Sequence, residues 1–224
     1  AGSKWAPGLL RHPSPRVKLM AAIACGKLRS RPAANGLVAM IQDASNASPV
    51  LREAGVTGLM GAAAPAEIAG LSAHPSEAVR IAAVVALRRL QATPELMGFL
   101  NDPSPQVMSD AVLAIYDAAD TATFAKYPSV LEAVAAKLRP ESGHAVNVRA
   151  LAANRRLGTR EAMFRVMDFL TDAQNDWQYG RIMALDQLRS WTEAAALDPV
   201  DGRYFPVAGF PSAELEKELS TRLW

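Results

Sequence analysis

The chain has 224 residues, of which 50% are hydrophobic and 21% are charged, a balance that supports a globular protein with a buried core. Its 24 lysines and arginines almost match its 22 aspartates and glutamates, so the net charge of +2 does not indicate a polyanionic partner. One cysteine excludes an internal disulfide and a cysteine-rich metal site, and no apolar run is long enough to predict a transmembrane helix.

We expect residues 1–8 to be a cloning remnant with an N-terminal lead-in, because Ala1-Gly2-Ser3 lacks the features of a signal peptide. From residue 9 to residue 196 one pattern recurs. A His-Pro-Ser or Asp-Pro-Ser turn precedes an apolar helical stretch at His12, His74 and Asp102. The equivalent apolar positions that open each stretch recur at intervals of about 28 to 41 residues, as helical repeats do. They are Val17, Leu51, Val79, Val107, Val148 and Gly180.

Each repeated stretch carries apolar residues at the spacing of one helix face. A shorter helix is predicted before each of the later stretches. These shorter helices are Gly36–Gln42, Pro65–Ser72, Pro94–Leu100, Ser129–Leu138 and Arg160–Leu170. Thr93 and Thr159 are predicted N-caps. Period-2 alternation is missing, so we expect essentially no sheet.

This succession of helix, tight turn and second helix resembles the HEAT repeat. The resemblance implies an all-α, right-handed solenoid of about six helical pairs.

The last third, Val146–Val207, more specifically resembles the HEAT-repeat region of PVC-type haem-binding, membrane-bound dehydrogenase-like proteins. The points of similarity are Asn154, Arg156-Leu157-Gly158-Thr159, Ala184-Leu185, Trp191 and Gly202-Arg203-Tyr204. In that family the repeats lie between a propeller and a c-type cytochrome domain. The chain has no Cys-x-x-Cys-His, so the resemblance implies a connecting module from a larger exported redox protein and no cofactor.

The few residue types that could carry chemistry favour structural roles. His12 and His74 occupy the position that Asp102 holds in another copy, so we interpret all three as turn caps. Cys25 lies in an apolar helix and is expected to be buried. The glycine-rich run 55–61 lacks the Lys-Ser/Thr of a phosphate loop, and we expect it to bring two helices close together.

One set of arginines recurs beside the position that opens each helix. It comprises Arg16, Arg52, Arg80, Arg149 and Arg181. We expect these side chains to form a ladder in which each arginine bonds loop carbonyls or an acid of the next unit. Ligand binding by the same row is the alternative.

A second set of arginines lies near aromatic residues and is our candidate partner-binding surface. Its predicted members are Arg88, Arg89, Arg155, Arg156, Arg189, Tyr204 and Phe205. Arg160 and Arg165 extend the same possible basic patch. In DNA-binding and glycosylase-like HEAT proteins a concave basic patch contacts nucleic acid, so such a module is the alternative function.

Residues 197–224 are predicted to form an extended segment followed by a capping helix over Ser212–Trp224. The aromatic side chains of the extended segment either cover the last repeats or dock against a neighbouring domain.

Together these features predict a non-catalytic scaffold that contacts a protein or a neighbouring domain of the same parent chain. We expect no catalytic residue, metal or cofactor, and nucleic acid is disfavoured as a partner. The compartment is periplasmic or exported if the family resemblance holds, and cytoplasmic otherwise.

Overall fold

A computed structural model describes residues 5–44, 47–118, 121–207 and 210–223. The protein is mostly helical, with 72% of its residues in helices and one small two-stranded sheet, which confirms the all-α class. The chain divides into two compact units, residues 1–114 and 115–224. Within the described ranges, every helix is too short or too polar to cross a bilayer.

The N-terminal unit is built from α-helices and short 3-10 turns. The helices are α1 Ala6–Leu9, α2 Pro15–Lys27, α3 Ala34–Ala44, α4 Pro49–Ala62, α5 Pro65–Ala69, α6 Glu77–Arg89 and the first part of α7 Pro105–Ala118. The 3-10 segments are Arg31–Ala33, Gly70–Ala73 and Pro94–Phe99. The predicted N-cap at Thr93 is wrong, because its side chain makes no capping hydrogen bond and its backbone is already helical.

The His-Pro-Ser and Asp-Pro-Ser turns are closed by the same hydrogen bond. The backbone N–H of Ser14 donates to Nδ1 of His12 at 3.0 Å, and that of Ser76 donates to Nδ1 of His74 at 3.1 Å. In the third turn the N–H of Ser104 donates to a carboxylate oxygen of Asp102 at 2.8 Å. The predicted turn-capping role of the three residues is therefore confirmed.

Helices α2 and α4 approach each other through glycine. A Cβ atom on Gly61 would lie 2.0 Å from the carbonyl oxygen of Gly26, and one on Gly26 would lie 2.6 Å from the carbonyl oxygen of Thr57. The two backbones are thus in direct contact, and only hydrogen fits between them. This confirms that the glycine-rich run 55–61 serves close helix packing. Cys25 is buried, as expected, and burial raises the pKa of its thiol.

The C-terminal unit continues with helices and ends in a hairpin and a last helix. Its elements are α8 Thr121–Lys126, α9 Pro128–Ala135, a 3-10 segment Pro140–Ser142, α10 His144–Leu157, α11 Arg160–Thr171, α12 Gln178–Arg189, β1 Ala195–Leu197, β2 Tyr204–Pro206 and α13 Ser212–Leu223. Its core is formed by the apolar faces of α10, α11 and α12 with Trp191. The predicted N-cap Thr159 is confirmed, because its hydroxyl accepts from the N–H of Ala162.

The small sheet is a departure from the sequence prediction. Strands β1 and β2 pair antiparallel, with Ala196 opposite Phe205 and Leu197 opposite Tyr204. Each strand has only three residues, which is too short for a visible period of two. The turn that joins them uses the predicted Asp-Pro and Asp-Gly signals, and Gly202 adopts the left-handed φ of +70° that the turn requires.

Candidate functional site

Arg80 is a buried tie within the N-terminal unit. Its Nε and Nη2 donate to the two carboxylate oxygens of Asp102 at 2.7 and 3.0 Å. Its Nη1 donates to the backbone carbonyls of His74 and Pro75. The Asp102 side chain is only 1% exposed, so it depends on Arg80 and the N–H of Ser104 for its hydrogen bonds. For Arg80 the predicted ladder contact, to an acid of the next unit, is confirmed.

The other arginines that recur beside the helix starts bond to different kinds of partner. Arg149 forms a two-point ion pair with Asp117, which precedes it in the chain. Arg181 donates to the backbone carbonyls of Leu170 and Asn175, also before it. Arg16 is exposed. Arg181 therefore makes the expected carbonyl contacts. For Arg149 the expected acid of the next unit is wrong, because its acid, Asp117, lies before it in the chain.

Arg156 lies at the centre of a buried network in the C-terminal unit. It donates to Asp198 at 2.6 Å and to the Tyr116 hydroxyl at 2.8 Å, and that hydroxyl donates to the same Asp198 oxygen. The Arg156 guanidinium lies 4.2 Å from the centre of the Phe205 ring. Burial lowers the pKa of Arg156, but Tyr116 and Asp198 outweigh it and raise this pKa overall.

The network fastens the hairpin to helices α7 and α10. Asp198 directly follows β1, and Phe205 is the buried residue of β2. Arg156 and Phe205 were expected on a partner-binding surface. The structure corrects this expectation, because both side chains are used internally.

Arg155 is the second correction. It is 1% exposed, lies over the Trp191 ring, and donates through Nη2 to the carbonyls of Ser190 and Glu193. Its Nε and Nη1 have no hydrogen-bond partner within the described residues. Burial lowers the pKa of its guanidinium, an effect that the Glu193 carboxylate partly offsets. Arg155 therefore lies beneath the surface and not on it.

The remaining arginines of the possible basic patch are mostly paired with acids. Arg89 bonds both carboxylate oxygens of Glu53, and Arg165 bonds both of Glu132. Arg160 pairs with Glu214 and Glu218 of α13. Arg88 and Arg189 are exposed at the C-terminal ends of α6 and α12. Much of the positive charge is thus neutralised.

Among the described residues of the C-terminal unit, the large exposed apolar side chains lie along α12 and the hairpin. Tyr179 is 63% exposed and Tyr204 is 75% exposed. Ile182, Leu185 and Leu197 are also about half exposed. Exposed apolar side chains that cluster in this way mark interaction sites more often than single ones do.

A groove of about 480 Å³ runs between α12 and the hairpin. Its residues are Val148, Tyr179, Met183, Asp186, Gln187, Ser190, Glu193, Leu197, Pro199 and Tyr204. The α12 members Tyr179, Met183, Asp186 and Gln187 follow the i, i+4, i+7 and i+8 spacing of one helix face. Tyr204, a predicted partner-binding residue, lines this groove. Arg189, another predicted partner-binding residue, does not; it shares an adjacent face of α12 with Ile182 and Leu185.

Gln187 is the unusual residue of the groove. It is 92% buried, and its Oε1 atom has no hydrogen-bond partner in the described part of the chain. A buried acceptor that lacks a donor costs about 1–3 kcal/mol. Gln187 lines the groove, and the last side-chain torsion of glutamine is broad, so its amide can reorient at little cost. The groove therefore combines apolar walls, two carboxylates and an unsatisfied amide.

Sequence reasoning missed most of this groove, although a signal for it exists. The core face of α12 is marked by Ala184, Leu188 and Trp191, which repeat the stripe of the earlier helices. Tyr179, Ile182 and Leu185 are apolar residues outside that stripe. A helix that is apolar on a second face has a second surface to cover.

Within the described residues, no three His, Cys, Asp or Glu side chains come together as metal ligands. No protein-family model, curated protein or solved structure matches the chain.

Proposed function

We propose that the protein is a non-catalytic scaffold, and that the groove beside α12 binds an extended segment of a partner protein or of a neighbouring domain. In this proposal the helical pairs belong to a right-handed HEAT-like solenoid of about six pairs. The exposed apolar face of α12 and the hairpin carries the proposal.

Several properties of this face support a protein partner. The hairpin is held by the buried Arg156–Asp198 contact, so Tyr204 projects from a rigid support. Tyrosine is enriched at protein interfaces because it offers a large contact area with few rotatable bonds. The groove volume of about 480 Å³ is enough for one or two side chains of a bound segment.

The arrangement of the arginines favours a protein over a nucleic acid. Affinity for a phosphate backbone comes from lysine and arginine side chains that are free to displace counterions. Arg155 and Arg156 are buried, and Arg89 and Arg165 are already paired with carboxylates. The nucleic-acid alternative then rests on exposed residues such as Arg88 and Arg189.

A selection from random peptides displayed on phage tests the proposal. Peptides are selected on the wild-type protein and then measured on Tyr179→Ser/Tyr204→Ser, which removes two largely exposed rings. The matched control is Met20→Ser, since Met20 is 62% exposed in the N-terminal unit. Circular dichroism should show that all three proteins keep the same helical content.

We expect selected peptides to bind the double variant at least about tenfold more weakly than the wild type and to bind Met20→Ser unchanged. Selected peptides that bind all three proteins equally, or a selection that yields no binder, would overturn the proposal. Salt-sensitive binding of a DNA duplex, lost on Arg88→Ala/Arg189→Ala, would replace it with the nucleic-acid alternative.

A further inference from the structure

We infer that the α12 groove recognises its partner through a lysine or arginine side chain that is flanked by apolar residues. This inference rests on the proposed function and names the chemistry of the bound segment. It is carried by the charges of the groove, by its aromatic side chains and by the unsatisfied amide oxygen of Gln187, which lines it.

The charges of the groove are negative. Asp186 and Glu193 line it, and the described residues contribute no lysine or arginine to its lining. The Glu193 carboxylate also acts on the buried Arg155 guanidinium, whose pKa it raises. Asp186 is exposed on α12 and, within the described residues, forms no ion pair. A cationic side chain would therefore find its main counter-charge at Asp186.

The walls of the groove suit a cation that carries an aliphatic stem. Tyr179 and Tyr204 present largely exposed rings, and the faces of tyrosine rings attract ammonium and guanidinium groups. Met183, Leu197 and Pro199 supply apolar contacts along the same groove. The long methylene stems of lysine and arginine pack on such surfaces while their charged ends reach polar groups.

Gln187, which lines the groove, favours a bound group that can donate a hydrogen bond. The Oε1 atom of the buried Gln187 is an acceptor without a partner in the described part of the chain. Lysine and arginine side chains are donors only, so either can satisfy this oxygen and a carboxylate simultaneously. An ionised Asp or Glu side chain has no donor for this oxygen and would be repelled by Asp186, so the groove discriminates by charge sign.

The test uses the peptides recovered in the phage selection whose binding depends on Tyr179 and Tyr204. These peptides should be enriched in one lysine or arginine between apolar residues. Representatives are synthesised with arginine or with citrulline, whose neutral urea group keeps the planar shape and part of the N–H donors but replaces one NH2 group with a carbonyl oxygen. Their affinities are measured by fluorescence polarisation. We expect citrulline to weaken binding at least about tenfold.

Two variants place the effect at the groove. Asp186→Asn should reduce the preference for arginine over citrulline to below about threefold, whereas the matched control Asp43→Asn, at an exposed acid of α3, should leave it unchanged. Gln187→Leu should weaken arginine peptides while keeping or raising the thermal stability, because it removes a buried acceptor that has no donor. A merely structural glutamine would lower the stability instead.

The outcomes separate this inference from the proposed function. If no peptide depends on the two tyrosines, the proposed function fails. If such peptides exist but bind equally with arginine and citrulline, or if Asp186→Asn has no effect, only the cationic specificity is overturned.

Discussion

Removal of the Arg80 guanidinium should be among the most destabilising single changes in the N-terminal unit. Arg80→Ala deletes four donated hydrogen bonds and leaves the Asp102 carboxylate, 1% exposed, with the N–H of Ser104 as its remaining donor. Breaking a buried ion pair by removing one partner typically costs about 3–5 kcal/mol, because the other charge stays buried. We expect a loss of about 3 kcal/mol or more.

Hydrogen exchange followed by mass spectrometry is the suitable assay, because it reports on each part of the chain separately. Amides of α6 that exchange through unfolding of this region should lose at least about a hundredfold of their protection, since about 1.4 kcal/mol corresponds to a factor of ten. Asp102→Asn in the Arg80→Ala background should recover part of the loss, because it removes the uncompensated charge.

Arg16→Ala is the matched control, since Arg16 stands beside the equivalent helix start but is exposed. Its effect should stay within about 0.5 kcal/mol, as for most surface substitutions. If Arg80→Ala also changes the stability by less than about 0.5 kcal/mol, the ion pair is not the tie that we describe.

Two further substitutions test the two units by other means. Tyr116→Phe should lower the stability by about 1–3 kcal/mol at pH 8, because it removes a buried hydroxyl bonded to Asp198. Burial and Asp198 raise the pKa of Tyr116, so the contribution of the hydroxyl is complete below about pH 10 and is lost above it, by up to about 1.4 kcal/mol per pH unit. Urea unfolding at pH 8 and pH 11 should show the gap closing, and a constant gap would contradict this. Gly61→Ala should destabilise the N-terminal unit by about 1–3 kcal/mol, because its methyl group would meet the carbonyl of Gly26, whereas Gly70→Ala, with open space around it, should be neutral in the same exchange assay. Equal effects of the two glycine substitutions would refute the close backbone contact.

The helices could be predicted because the apolar residues of a buried helix face recur in the sequence every three or four positions. The positions equivalent to Val79, which open each repeated stretch, all lie in α-helices. The turn residues were also predictable, since an imidazole and a carboxylate can close the same turn through the same backbone N–H. The hairpin was missed because a strand of three residues is too short to show alternation of apolar and polar side chains.

The site was harder to predict because the sequence does not show which way an arginine points. Arg155 and Arg156 are neighbours in the chain, and both are buried because they bond to partners 35 to 42 residues away in the sequence. From sequence alone an arginine is expected to be exposed, because buried arginines are rare. The partners that bury these two, Asp198 for Arg156 and the carbonyls of Ser190 and Glu193 for Arg155, come close to them only in the folded structure. The sequence placed Tyr204 on the candidate partner-binding surface as an aromatic residue near the arginines, and the structure shows it 75% exposed beside the groove.

The turn that contains Asp102 is less tolerant of change than the two turns that contain histidine. At positions 12 and 74 the side-chain hydrogen bonds among the described residues close the local turn, so any acceptor of suitable length keeps that turn closed. At position 102 the carboxylate that closes the turn also accepts two hydrogen bonds from the Arg80 guanidinium. A histidine there would still close the turn but would leave the guanidinium without its anion, so exchanging these otherwise similar segments is safe in one direction and not in the other.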